Sequence, residues 1–210
     1  MVPTHQGRGA EHLISQIAIR KEQYVPGNMY FTTTRLHQEL AGGIFVDVIV
    51  DEAHDPNSLH PFKGNIDVAR LEARIVREGA SEIAYVSLAG SVNMAGGQPV
   101  SMANVKELRA LCDKHGIKLY LDATRMVENA FFIQEREEGY ARKSIAEILR
   151  EFCGFTDGAW MSAKKDNLVN IGGWLAVNDW ALFEELRNLV VVYEPKYLRF
   201  FQARFERLPA

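Results

Sequence analysis

The stretch "MSAKKD" (161–166) sets a hydroxyl, Ser162, and two ammonium groups, Lys164 and Lys165, inside an otherwise apolar run. Lysine is seldom buried unless it is paired or reacted. A hydroxyl with two cations suits a phosphate. A lysine beside another cation is more easily deprotonated and suits a covalent amine. A solvated Lys-Lys turn fits poorly with the apolar "NLVNIGGWLAV" that follows at once.

Three further stretches carry polar residues that packing alone does not require. "THQGRGAE" (4–11) puts Gln6, Gly7, Arg8 and Gly9 at a helix start, where free N–H groups and the dipole favour a phosphate. "LYLDATR" (119–125) places Asp122 after a hydrophobic strand and shortly before Arg125. Taken alone, Asp122 fits a helix N-cap equally well. "SVNMAGGQPVS" (91–101) puts Asn93 after a strand, with Gly96 and Gly97 allowing backbone to approach a ligand. A plain Gly-Pro turn accounts for it as readily.

Jointly these loops describe a pyridoxal phosphate (PLP) site, with a Schiff-base lysine, an acid for the ring nitrogen and a phosphate cradle. Asp122 would keep the ring nitrogen protonated by charge pairing. Phe31 in "NMYFTTTR" (28–35) is a candidate to stack on the ring, and reads as well as a core aromatic.

The elements that must hold these loops alternate along the chain. Helices are expected over "THQGRGAEHLISQIAI", "DVARLEARIVREG", "SMANVKELRALCDKHG" (capped by Ser101, closed by Gly116), "SIAEILREFCG" and "DWALFEELRNLVVVYE". Strands are expected at "NMYFTTT", "GGIFVDVIV" (buried), "EIAYVSLAG", "IKLYLDAT", "GAWMSA" and "GGWLAV". This order predicts an α/β domain, a mainly parallel sheet flanked by helices, with ligands at the carboxyl ends of the strands.

Composition excludes several classes. The chain has 210 residues, is 47% hydrophobic and 24% charged, and carries a net charge of −3. A mildly acidic chain without a dense basic run is a poor nucleic-acid binder. No run is long and apolar enough for a membrane span, and "MVPTHQGRG" has no signal-peptide core. Cys112 and Cys153 form no CxxC pair, so a reducing cytoplasm is expected. "DEAHD" (51–55) shares its letters with a helicase box, but no G-x-x-x-x-G-K-[ST] loop accompanies it, and it reads as a solvated turn. His54 and His60 flank Pro56 without a helix to align them as metal ligands. "LAGSVNMAGG" lacks the G-x-G-x-x-G of a dinucleotide site.

Five segments, "PTHQGRGAE", "GNMYFTTTR", "VNMAGGQPVSMAN", "DATRMVENAFFI" and "MSAKKDNLVNIGG", resemble the aromatic amino-acid β-eliminating lyases, the family of tyrosine phenol-lyase and tryptophanase. The resemblance runs in register from Pro3 to Glu194. It implies a fold-type-I PLP enzyme that cleaves an aromatic L-amino acid to pyruvate, ammonia and phenol or indole. It further implies that Lys165 is the Schiff-base lysine and Lys164 its charged neighbour. Ser162, Gln6 and Gly7 would be phosphate ligands, Asp122 the pyridinium partner, and Arg125 and Asn93 partners of the 3-hydroxyl oxygen. Phe31 would stack, Thr32 would lie towards the substrate's aromatic head, and Arg8 near the site wall. A potassium-type cation bound in part by the Asn170 backbone, and a homotetramer, belong to the same resemblance. "FTTT" favours the tyrosine enzymes over tryptophanases, many of which have Phe-Asp-Thr-Thr.

The chain also departs from the family's pattern. It opens at "MVPTHQG", without the family's N-terminal arm. It passes from "VVVYE" to "PKYLRFFQARFERL", which resembles the family's extreme C-terminus. The expected organisation is therefore a partial PLP-binding large domain over 1–194 and a C-terminal remnant over 195–210, joined by an internal deletion or a gene-model artefact. The missing stretch would hold the arginine that grips the substrate carboxylate. Impaired turnover is expected, with a non-catalytic PLP-binding fragment as the alternative, and exposed apolar surface predicts poor solubility.

Overall fold

Side-chain caps decide where several helices begin. The computed structural model describes residues 1–193. In chain order the elements are β1 (Val2–Thr4), α1 (Gly7–Ala18), β2 (Tyr24–Gly27), α2 (Thr32–Leu40), β3 (Ile44–Asp47), α3 (Val68–Glu78) and β4 (Val86–Ala89). Then follow α4 (Met102–His115), β5 (Leu119–Asp122), α5 (Met126–Arg136), α6 (Ile145–Cys153), β6 (Gly158–Ser162), β7 (Gly173–Val177) and α7 (Trp180–Tyr193). Ser101 accepts from Asn104 N to start α4, and Gly116 ends it in the left-handed conformation at φ 67°. Ser144 and Glu147 form a capping box at the start of α6.

The strands form one seven-stranded sheet in the order β1-β7-β6-β5-β4-β2-β3. β2, β3, β4, β5 and β6 run parallel, and β7 is antiparallel to both β6 and β1. The expected mainly parallel α/β sheet is what forms. Side chains alternate across it as the two-residue period requires. Val86, Leu88, Leu119, Leu121, Ala159 and Met161 face a core with α3, α4, α5 and α6 residues such as Leu71, Leu108, Ile133 and Phe152. Tyr85, Tyr120 and Trp160 face the opposite core, closed by Leu13 and Ile14 of α1 and by Leu186 and Val190 of α7. Each fully buried side chain of this size contributes about 1.5–3 kcal/mol of transfer free energy.

Several local expectations are corrected. "NMYFTTT" is not a strand: Phe31 is the N-cap of α2, and the threonines form its first turn. β-branched residues prefer strands, yet a helix start tolerates them where packing favours it. "GGIFVDVIV" yields a strand of four residues at the sheet edge, partly exposed rather than buried. β1, β2 with its Pro26, and α5 were not expected from the pattern. Asp51, Glu52 and His54 form an exposed 3-10 turn, in which Asp51 pairs with Arg70 at 2.6 Å. The remnant expected over 195–210, and Glu194 before it, lie outside the described residues.

Candidate active site

The carboxyl ends of five strands and the start of α1 converge on one cleft. It encloses about 710 Å³, open solvent at its mouth included. Gln6, Gly7, Arg8 and Glu11 enter after β1, and Met29, Tyr30, Phe31 and Thr33 after β2. The segment Ala89 to Asn93 enters after β4, Asp122, Thr124 and Arg125 after β5, and Ser162, Lys164 and Lys165 after β6. Because β1 lies antiparallel to β7, it points the same way as β6 and delivers α1 to the same edge.

The α1 terminus is seated by steric fit. A Cβ on Gly7 would stand 2.8 Å from Ser162 Cβ, and one on Gly173 would stand 2.5 Å from Gln6 C. Real Cβ atoms do not come so close, so only glycine lets these backbones touch. Gln6, the N-cap, makes no side-chain cap bond, and its Oε1 accepts from Lys164 Nζ at 3.0 Å. The first N–H groups of a helix have no intrahelical partner, so this end favours an anion.

Lys165 is half-buried and donates from Nζ to Ser162 Oγ at 3.1 Å. Burial pushes its ammonium pKa down, and the neighbouring charges of Lys164 and Arg125 push it further; Asp122 and Glu11 oppose them. The result is a lysine drawn towards the neutral amine, the nucleophilic form. Lys164, by contrast, is exposed. Burial raises the Asp122 carboxyl, against hydrogen bonds from Thr124 and the charges of Arg125 and Lys165. Thr124 N donates to Asp122 Oδ1 at 3.0 Å, while Arg125 is the N-cap of α5, so Asp122 is not a helix cap. Asp122 itself lines the cleft.

Two lining residues have left-handed backbone, Met29 at φ 61° and Ser91 at φ 52°. Non-glycine residues in this region cost about 1–3 kcal/mol and cluster at ligand sites. Ser91 is held by Asn129, whose Oδ1 accepts from both Ser91 N and Val100 N.

Of the residues singled out in the sequence, Gln6, Gly7, Arg8, Phe31, Asn93, Asp122, Arg125, Ser162, Lys164 and Lys165 line this cleft. Thr32 is exposed on the first turn of α2, and Thr33 lines the wall in its place. Asn170 is exposed on the β6–β7 connection and is not among the lining residues. Glu11, Tyr30, Ser91 and Thr124 were not anticipated. Glu11 left a signal: it is an acid on the face of α1 that also carries Gly7 and Ile14 into the interior.

The family model for beta-eliminating lyases matches residues 1–201. The chain belongs to that family. A tyrosine phenol-lyase of Nostoc punctiforme is 66% identical over 194 residues, covering 92% of this chain and 42% of the relative. The tyrosine phenol-lyase of Symbiobacterium thermophilum is 63% identical over the same shares. This beta-eliminating lyase chain thus spans about 42% of the length of the curated relatives it matches. Among solved structures, Leishmania major threonine aldolase aligns with a TM-score of 0.63 at 17% identity, covering 90% of this chain and 50% of that one. An archaeal alanine:glyoxylate aminotransferase aligns at 0.62 and 19% identity, covering 91% and 43%. These neighbours share the fold. Among the described residues no helix is long and apolar enough to cross a membrane.

Proposed function

We propose that this chain binds PLP in the cleft and carries the β-elimination of an aromatic L-amino acid, tyrosine in the first place, to pyruvate, ammonia and phenol. The carrying observation is Lys165: a lysine with a depressed ammonium pKa shares one cleft with a buried acid and a glycine-seated helix N-terminus. The 63–66% identity to tyrosine phenol-lyases supports the substrate class.

The residues present fit the cofactor. Gly7 lets the start of α1 sit against Ser162, and the α1 N–H groups with Ser162 and Gln6 can hold a phosphate. Asp122 can hold a cationic ring nitrogen, whose charge would draw its raised carboxyl back down. Arg125 and Asn93 can donate to the 3-hydroxyl oxygen, and Phe31 can cover a ring face. When bound, PLP supplies an electron sink for carbanion chemistry at the substrate α-carbon. Lys165 would anchor the cofactor through its amine and, when released by the substrate amine, take the α-proton at Nζ. Lys164 holds positive charge beside it and steadies Gln6. Arg8 and Thr32 belong to the substrate side of this reading. A potassium-type cation at the Asn170 backbone, a homotetramer and a cytoplasmic location rest on the family resemblance. So does the division into a PLP-binding region over 1–194 and a remnant after it.

Titration of the chain with PLP, followed by its near-ultraviolet absorbance, tests the cofactor reading. A bound-cofactor band that Lys165→Ala abolishes is expected, and an unaltered band in that variant would overturn it. Pyruvate release from tyrosine against tryptophan tests the reaction. A band without pyruvate from either substrate would leave PLP binding without turnover as the function.

A further inference from the structure

Glu11 is the one acid on the cleft wall that the reading above does not use. It is 4% exposed, on the second turn of α1. Its Oε1 accepts from Thr34 Oγ1 at 2.6 Å, whereas its Oε2, buried in the same wall, has no hydrogen-bond partner. A carboxylate oxygen without a donor in a buried place is costly, and the cost is least when the group is neutral. The charged and titratable groups that face it are Arg8 from α1, Asp122 from the end of β5, Lys165 from the β6–β7 connection and Tyr85 from beside β4.

We propose that Glu11 works as a neutral acid in the PLP-loaded site: with its proton on Oε2, it leaves Asp122 as the single carboxylate facing the ring. The inference rests on the cleft being a PLP site. Two carboxylates on one wall oppose each other, and the favoured state keeps one proton between them. Burial raises both carboxyls, but Thr124, Arg125 and Lys165 all favour the charge of Asp122, which in turn raises Glu11, so Asp122 is the better anion of the two. Burial, then the Asp122 charge, raises the Glu11 carboxyl to about 7, against the hydrogen bond from Thr34 and the weaker pulls of nearby Thr33 and Arg8. A neutral Glu11 also removes one of the charges that hold Lys165 as an ammonium. Its ionisation would bring a second negative charge against an anionic cofactor and favour the unreactive form of the lysine. Glu11 is thus a positioning residue, acting through Asp122 and Lys165.

A group half-protonated near pH 7 that becomes fully protonated on PLP binding takes up about half a proton from solvent. Calorimetry of PLP binding at pH 7 in two buffers of different ionisation enthalpy measures the net proton count, to which the Lys165 amine and the cofactor also contribute, so the difference between the unaltered chain and Glu11→Gln isolates the share of Glu11. Glu11→Gln, which mimics the neutral acid, is expected to bind PLP within about threefold of the unaltered chain. It should take up about half a proton less. Infrared difference spectra of the chain without PLP provide an independent readout. A carboxylic C=O band present below pH 6 and lost above pH 8 is expected, and it should be missing in E11Q.

Equal proton counts in the two proteins, or no such band, would overturn the proposal. So would a tenfold or greater loss of affinity in an E11Q protein that melts like the unaltered chain, since the anion would then be the working form. If the infrared band behaves as expected but Lys165→Ala leaves PLP binding unchanged, the failure lies with the cofactor reading and not with the protonation of Glu11.

Discussion

Lys165 Nζ donates to Ser162 Oγ at 3.1 Å, so the last residue of β6 and the lysine three positions on share one hydrogen bond at the cleft floor. Ser162 is buried and Lys165 half-buried. Ser162→Ala removes a hydroxyl from the lysine and from the proposed phosphate cradle together. Its affinity for PLP should fall by about tenfold, or ~1.4 kcal/mol, read by absorbance titration. Unchanged affinity would remove Ser162 from the cradle.

Gly7→Ala tests the seating of α1. The added methyl would stand 2.8 Å from Ser162 Cβ, so α1 or β6 must shift. Overpacking of this kind costs about 1–3 kcal/mol. The shift moves the N–H groups proposed to hold the phosphate. We expect PLP affinity to fall by more than the loss in melting temperature alone accounts for. A variant with normal PLP binding would show that the helix end is not the anion site.

Asn28 is fully buried and links the sheet where β2 and β4 meet, a junction with a single register pair, Gly27 to Ser87. Its Nδ2 donates to Gly64 O at 2.8 Å and Ala89 O at 2.9 Å, and its Oδ1 accepts from Ala89 N at 2.7 Å. Asn28→Ala leaves these groups buried and unpaired. Urea unfolding should show a loss of about 2–4 kcal/mol. A loss under ~1 kcal/mol would mean that water or rearranged backbone replaces the amide.

Glu151 gives a pH dependence remote from the cleft. The hydrogen bond from Lys143 at 2.6 Å, with Lys106 and Tyr140 adding to it against burial, holds its carboxyl near 2. Its folded pKa lies below the unfolded carboxylate value of about 4.3. The stability it contributes is therefore complete above that value and lost as pH falls towards 2. Melting temperatures between pH 6 and pH 2.5 should drop less steeply in Glu151→Gln than in the unaltered chain. Parallel slopes would show that the cluster does not stabilise the fold.

The legible parts of this molecule were those written in local chemistry. Ser101 and Gly116 bracketed α4, and Asp122, Asn93 and the Lys164–Lys165 pair, each with an ordinary structural use when taken alone, stood out because their loops jointly describe one site. Phe31 was found for the right cleft within the wrong element, since "FTTT" has strand propensity but starts α2. Glu11 escaped because an acid in a helix ordinarily reads as a solvated face. Its place on the face of Gly7 and Ile14 was the one hint, and the packing of α1 onto the sheet shows that it points inward. β1 escaped for the opposite reason. Three residues carry no period, and the strand exists because β7 is there to receive it.

That last pairing has a temporal consequence. Val2 to Thr4 pair with Gly173 to Leu175, so almost the whole described chain must be made before β1 finds its partner. Such distant pairings are slow to form, because the closure entropy of the intervening chain comes first. Gln6, Gly7 and Glu11 ride behind β1, Ser162 ends β6, and Lys165 rides between β6 and β7. The α1 side of the cleft meets the β6 side only once β7, the last strand among the described residues, is made. Any cofactor held there would tie the two ends of the described chain together.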